Sequence, residues 1–216
     1  MANTVITIAR QYGAAGRQTG EILAEMKGMP CYDKELITLA ASKSGMNEDV
    51  VADIDEKASS SLLYSLGLGS VDYNIVSITA AYNIPINDKL FIAQCSVIKE
   101  LAAKSPCIII GRCADYVLRD NPKCIKVFLQ ADLTVRAKRI AARQGISVSD
   151  AQDLIMKTDK RRASYYGHYT GQKWGRSDLY DLVIDTTVIG AQGAAEVIAK
   201  FLHMFKQSEE QSEKNA

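Results

Sequence analysis

Residues 5–20 read Val-Ile-Thr-Ile-Ala-Arg-Gln-Tyr-Gly-Ala-Ala-Gly-Arg-Gln-Thr-Gly: an apolar strand pattern runs straight into a glycine-bearing turn, and a helix-forming segment follows. Such a turn leaves backbone N–H groups facing a common point, and the helix start adds roughly half a positive charge from its aligned peptide dipoles. The segment predicts an anion-binding loop. The pattern G-x-x-x-x-G-K-[ST] is met only in part: Gly16 is in place, but Gln11, Arg17 and Gln18 stand at its first glycine, its lysine and its hydroxyl position, with Thr19 one residue on. A tight reversal between strand and helix would also use glycine on structural grounds alone. Arg17 argues against that simpler reading, because a cation at a helix N-terminus opposes the dipole unless an anion sits beside it.

At 216 residues and 47% hydrophobic content the chain can form one large domain with a buried core. Lys and Arg number 26 against 25 Asp and Glu, so no global charge favours a nucleic acid polymer or an anionic membrane, and any anion site must be local. Cys31, Cys95, Cys107, Cys113 and Cys124 are scattered and mostly set in apolar runs, which predicts reduced core thiols rather than a zinc site. No apolar stretch of signal length precedes Arg10, and no run reaches the ~18 residues that span a bilayer. A cytoplasmic chain is expected.

Periodicity predicts a helix over 17–27 closed at Gly28, helices over 33–43 and 47–56, a long helix over 87–104, and a helix over 133–143 capped by Asp132. Short apolar runs at 106–111, 124–130 and 182–185 predict strands buried on both faces. The stretch 59–70 is apolar yet rich in glycine and serine, which fits a buried loop, a flap or a subunit contact. A closing helix repeats Ala194, Val197, Ile198, Phe201, Leu202 and Phe205 at helical spacing, and a disordered polar tail is expected over 206–216. Alternating strands and helices predict a doubly wound parallel α/β sheet with ligands at the carboxyl ends of its strands.

That rule gathers Arg10 to Thr19, Asp33, Arg112, Asp132 and Asp185 at one edge of the sheet. Arg112 is either an ordinary helix-start residue or a fork of donors for a phosphate or a base edge, and Asp33 either a helix cap or a ligand. Residues 157–175 are cationic and aromatic, with Gly167, Gly171 and Gly175, and read as a hinged lid or a solvated helix face. Phosphoryl transfer needs cations that close over the transferring group, and Arg161 and Arg162 are the candidates.

Ile-Thr-Ile-Ala-Arg-Gln-Tyr-Gly-Ala-Ala-Gly-Arg-Gln-Thr at 6–19, Cys-Tyr-Asp-Lys-Glu-Leu-Ile at 31–37, Ile-Ile-Gly-Arg-Cys-Ala-Asp at 109–115 and Asp-Lys-Arg-Arg-Ala-Ser-Tyr-Tyr at 159–166 together resemble the cytidylate kinase-like family. The resemblance covers most of the chain and is weakest over 47–100. It implies a P-loop nucleoside monophosphate kinase-like, three-layer α/β/α fold in one domain over 1–216. The core would comprise 1–32, 86–143 and 179–205, with a helical nucleotide-binding insert over about 33–85 and a lid over about 144–178. It implies ATP and magnesium as cofactors, nucleotide substrates as partners, and CMP or dCMP as acceptor. A homodimer stays open.

Residue by residue, Gly13, Ala14, Ala15, Gly16, Arg17, Gln18 and Thr19 would bind the donor phosphates, Arg17 touching the terminal ones and Thr19 helping to hold magnesium. Arg136 and Arg139 match a basic pair near the donor base. Arg10, Asp33, Arg112 and Asp115 would face the acceptor, and Arg17, Arg161 and Arg162 would be catalytic. The family's Gly-Arg-Asp element carries Cys113 in place of its acid, with Asp115 nearby; Thr158 and Tyr165 occupy places where further lid arginines are expected. A nucleotide-binding module without catalysis, or a kinase of another small acceptor, remains an alternative. A dinucleotide oxidoreductase is the third reading, from Gly13, Gly16, Gly20, Asp33 and the Tyr169–Lys173 pair, but Met29–Tyr32 is too short and proline-broken for that fold's second strand.

Overall fold

The computed structural model describes residues 3–33, 36, 38–40 and 85–214. Five strands, β1 (Val5–Arg10), β2 (Cys31–Tyr32), β3 (Cys107–Ile110), β4 (Cys124–Gln130) and β5 (Leu182–Asp185), pair in parallel in the order β2-β3-β1-β4-β5. Val5 lies opposite both Cys107 and Cys124, which fixes the three central strands in one register. The expected doubly wound parallel sheet is the fold. β1 is central because every one of its first five residues is buried, as the continuous apolar run requires.

Alternation along the strands sorts their side chains onto two cores. Val5, Cys107, Ile109 and Cys124 join one face, packed by Leu90, Phe91, Val97 and Ile98 of α2 (Ile86–Lys104). Ile6, Ile8, Ile108, Ile110, Ile125, Val127 and Leu129 join the other, packed by Leu23 of α1 (Gly16–Lys27) and by Ala194, Ile198 and Leu202 of the last helix. Burying each such isoleucine stabilises the fold by roughly 1.5–3 kcal/mol. Burial also pushes the Cys107 thiol up to about 11 and those of Cys95 and Cys124 up to about 12, so these core thiols stay protonated.

The remaining helices are α3 (Ala114–Val117), α4 (Leu133–Gln144), α5 (Val148–Thr170) and α6 (Thr186–Lys214), whose backbone leaves helical geometry at Gly190. Gly28 ends α1 in the left-handed region with its N–H on Ala24 O, and the Asp132 carboxylate caps α4 by accepting from Thr134 N–H at 2.8 Å and Val135 N–H at 3.2 Å. Two segments differ from expectation. The 157–175 stretch is continuous helix to Thr170, because Tyr165 and Tyr166 are buried against the sheet and Tyr169 stacks on Phe91 at 3.9 Å; Gly167 lies inside the helix. And α6 continues to Lys214 across the expected tail, with Phe205 against the core and Glu209 within 3.5 Å of Lys123 Nζ.

The predicted helix over 47–56, the apolar stretch 59–70, and the insert between Asp33 and Pro85 apart from Leu36 and 38–40 lie outside the described residues. None of the described helices is long and apolar enough to cross a membrane.

Candidate active site

The turn from β1 into α1 sits at the carboxyl edge of the sheet, where the connection from β1 crosses outward past β3 to β2 and the connection from β3 crosses the other way to β4. Gln11, standing where the common pattern has glycine, fastens this turn to β4: its N–H bonds Leu129 O at 2.9 Å and its side-chain Oε1 accepts from Ala131 N–H at 3.2 Å. Gly13 is required on two counts. Its φ is +83°, and a Cβ there would stand 3.0 Å from Arg136 Cβ. Ala15 also takes a left-handed φ of 60°, directly before α1.

The turn's carbonyls are held from behind. Arg136 Nη1 donates to Tyr12 O at 3.2 Å, Arg139 Nη1 to Gly13 O at 3.4 Å, and the Thr186 hydroxyl to Ala14 O at 3.3 Å. The N–H groups of Gly16, Arg17 and Gln18, in the first turn of α1, have no acceptor within the helix. An anion at the mouth of the turn meets these donors and the positive helix end together. Buried Thr19 donates its hydroxyl to Ala15 O at 3.0 Å, leaving its oxygen lone pairs as acceptors.

The cations expected around this loop divide into groups. Arg17 lies on the outer side of the helix start, its Nε bonded to Glu21 at 2.8 Å and both side chains about half exposed. Gln18 is exposed beside it. Arg136 is buried, donating to Ala131 O at 2.9 Å and to Asp159 at 2.6 Å besides Tyr12 O, and Arg139 also bonds Thr186 at its hydroxyl and carbonyl. Both guanidinium groups brace the loop's backbone and are engaged there.

On the other side of Arg10 opens a cleft lined by Arg10, Arg112, Asp115, Arg162, Tyr165 and Trp174 among others. Arg10, at the end of β1, reaches Asp33 with Nη2 at 3.4 Å. Gly111 has a φ of +76°, and a Cβ there would collide with the Arg10 guanidinium, so this glycine makes room for that arginine. Arg112 and Cys113 follow with positive φ of 58° and 54°, a strained turn that buries the Arg112 side chain in the cleft wall. Burial works against the charge of Arg112, while the Asp33 carboxylate supports it. Asp115 is buried too; desolvation pushes its carboxyl up, and a 2.7 Å hydrogen bond from the Tyr166 hydroxyl opposes that shift.

Thus four predicted residues, Arg10, Arg112, Asp115 and Arg162, line one cleft, and Asp33 reaches it through Arg10. Arg161 does not line it and is exposed. Sequence reasoning missed Asp159, which accepts from Tyr12 N–H at 2.7 Å and from Arg136. Its signal was an acid flanked by Lys157, Lys160, Arg161 and Arg162 on one helix.

The sequence profile of the cytidylate kinase-like family matches residues 5–188. Curated relatives include cytidylate kinases of Pyrococcus abyssi, 30% identical over 50% of this chain and 59% of that protein, and Methanopyrus kandleri, 34% identical over 41% and 50%. The chain spans little more than half the length of these relatives. Among solved structures, an uncharacterized protein from Eubacterium ventriosum aligns with a TM-score of 0.69 at 27% identity, covering 94% of this chain and 99% of that one. Shikimate kinase from Bacteroides thetaiotaomicron aligns with a TM-score of 0.53 at 14% identity, covering 93% and 98%, a likeness of fold.

Proposed function

The chain belongs to the cytidylate kinase-like family, and we propose that it transfers the γ-phosphoryl group of ATP to a nucleoside monophosphate, with CMP or dCMP as the acceptor. The observation that carries this reading is the junction at Arg10. A turn with N–H donors at a helix start lies on one side of it, and a cleft lined by Arg10, Arg112 and Arg162 on the other. A donor triphosphate at the turn and an acceptor phosphate on the arginines would bring the two reacting groups together at the end of β1.

In the transfer, an acceptor phosphate oxygen attacks the γ-phosphorus, the bond from that phosphorus to the bridging oxygen breaks, and ADP leaves with the electron pair. The chain's residues act by position and charge. Arg112 and Arg10 hold the acceptor phosphate, Arg162 bridges toward the transferring group, and the first-turn N–H groups of α1 take the donor phosphates. Asp33 and Asp115 supply acceptors that suit the amino group of a cytosine ring. Among the described residues no group of three or more His, Cys, Asp or Glu gathers, so a magnesium ion would draw most of its ligands from nucleotide phosphates and water, with Thr19 Oγ1 the fitting protein oxygen. Such an ion neutralises phosphate charge.

A coupled ADP-release assay across CMP, dCMP, UMP and AMP tests the proposal. Turnover with the cytidine nucleotides above the ATP-only background is expected, and background rates with all four would refute it. One observation favours a second reading, a nucleotide-binding module without transfer: the cation at the lysine position, Arg17, is engaged with Glu21 on the outer surface. Calorimetric nucleotide binding without any turnover would select it.

A further inference from the structure

We propose that Asp159 is a positioning residue that couples α5 to the phosphate loop, an assignment that rests on the donor-site reading above. Its two carboxylate oxygens divide the work. Oδ1 accepts from Tyr12 N–H at 2.7 Å, and Oδ2 accepts from Arg136 Nη1 at 2.6 Å. The same Arg136 nitrogen donates to Tyr12 O, so Asp159 and Arg136 together grip the peptide groups on both sides of one loop residue.

The Tyr12 side chain completes the hub. Its hydroxyl accepts from Arg143 at 3.2 Å and from Gln144 at 2.9 Å at the end of α4, and the Arg143 and Arg162 guanidinium carbons stand 5.6 and 5.5 Å from its ring centroid. One turn of α5 past Asp159, Arg162 lines the acceptor cleft and donates to Arg10 O at 3.0 Å. A shift of α5 therefore reaches the donor loop through Asp159 and the acceptor cleft through Arg162. Asp159 sets the loop's peptide orientation without itself facing that cleft, so its loss should weaken donor binding and spare acceptor binding.

The experiment combines residue-resolved amide hydrogen exchange with steady-state kinetics on the full chain and on Asp159→Ala. In the wild-type chain the Tyr12 amide should exchange ~100-fold or more slowly than an open-chain amide. In D159A, which removes both acceptor oxygens, that exchange should quicken and the KM for ATP should rise, each by about tenfold or more, with the KM for CMP within about twofold. An unprotected Tyr12 amide in the wild-type chain overturns the assignment without any variant. So does a D159A protein with unchanged Tyr12 exchange, or one whose two KM values rise in parallel. A wild-type chain that neither binds nor turns over ATP contradicts the phosphotransfer reading instead, and Tyr12 exchange then decides whether Asp159 fixes the loop.

Discussion

Arg162 donates to the backbone carbonyl of Arg10 at 3.0 Å, joining the middle of α5 to the last residue of the central strand. The contact bridges 152 positions of sequence and brings a guanidinium to the junction between the β1–α1 turn and the arginine-lined cleft. Arg161, its neighbour, faces solvent.

Arg162→Ala should therefore lower kcat by about 10²–10³-fold, the range for removing one charge-stabilising donor from a transfer site. Arg161→Ala should leave kcat within about twofold, as an exposed substitution does. Steady-state rates on the two variants check the contrast; equal losses would show that both arginines reach the transferring group.

Gly13→Ala should destabilise the chain by about 1–3 kcal/mol, since alanine must hold a φ of +83° while its Cβ presses on Arg136. Urea unfolding measures it. A midpoint equal to that of the parent would mean that the loop relaxes away from α4 at little cost.

Arg17→Ala should raise the KM for ATP by about tenfold while shifting folding stability by less than about 0.5 kcal/mol, because the side chain is half exposed and its partner Glu21 is a surface residue on the same helix. Kinetics and thermal melting read the two effects separately. Unchanged ATP affinity would confine Arg17 to its surface ion pair.

Much of this architecture was legible in the sequence. The apolar runs at 106–111 and 124–130 became β3 and β4, and Asp132 caps α4, because burial on both faces and capping are local signals. The strand and helix at the N-terminus, β1 and α1, form where the sequence places them for the same reason. What each arginine does was not legible. Consecutive residues of a helix point about 100° apart, so a charge run alone does not say that Arg162 enters the cleft and Arg161 leaves it. Arg136 and Arg139 carry the charge expected near a donor nucleotide, yet they engage loop carbonyls, and that pairing depends on Tyr12 and Gly13, more than 120 positions away. Asp159 escaped notice likewise, since its partners Tyr12 and Arg136 lie on other elements.

Asp115 supplies a pH prediction. Burial raises its carboxyl above the ordinary value near pH 4, so over the window between the unfolded and folded values the folded chain keeps a proton that the unfolded chain has released. Wild-type stability should fall as pH rises through that window and stay lower above it. Asp115→Asn removes this dependence while an amide oxygen can still accept from Tyr166. The stability of D115N relative to wild type should therefore climb with pH and then level off. Urea midpoints between pH 4 and 8 test it, and parallel curves would contradict it.

The transfer itself is tested most directly by following a radiolabelled γ-phosphate from ATP in the presence of CMP over one enzyme equivalent. The expected result is label in CDP, appearing in step with ADP. Label that stays in ATP, or that appears only as inorganic phosphate, would contradict phosphoryl transfer between the loop and the arginine cleft.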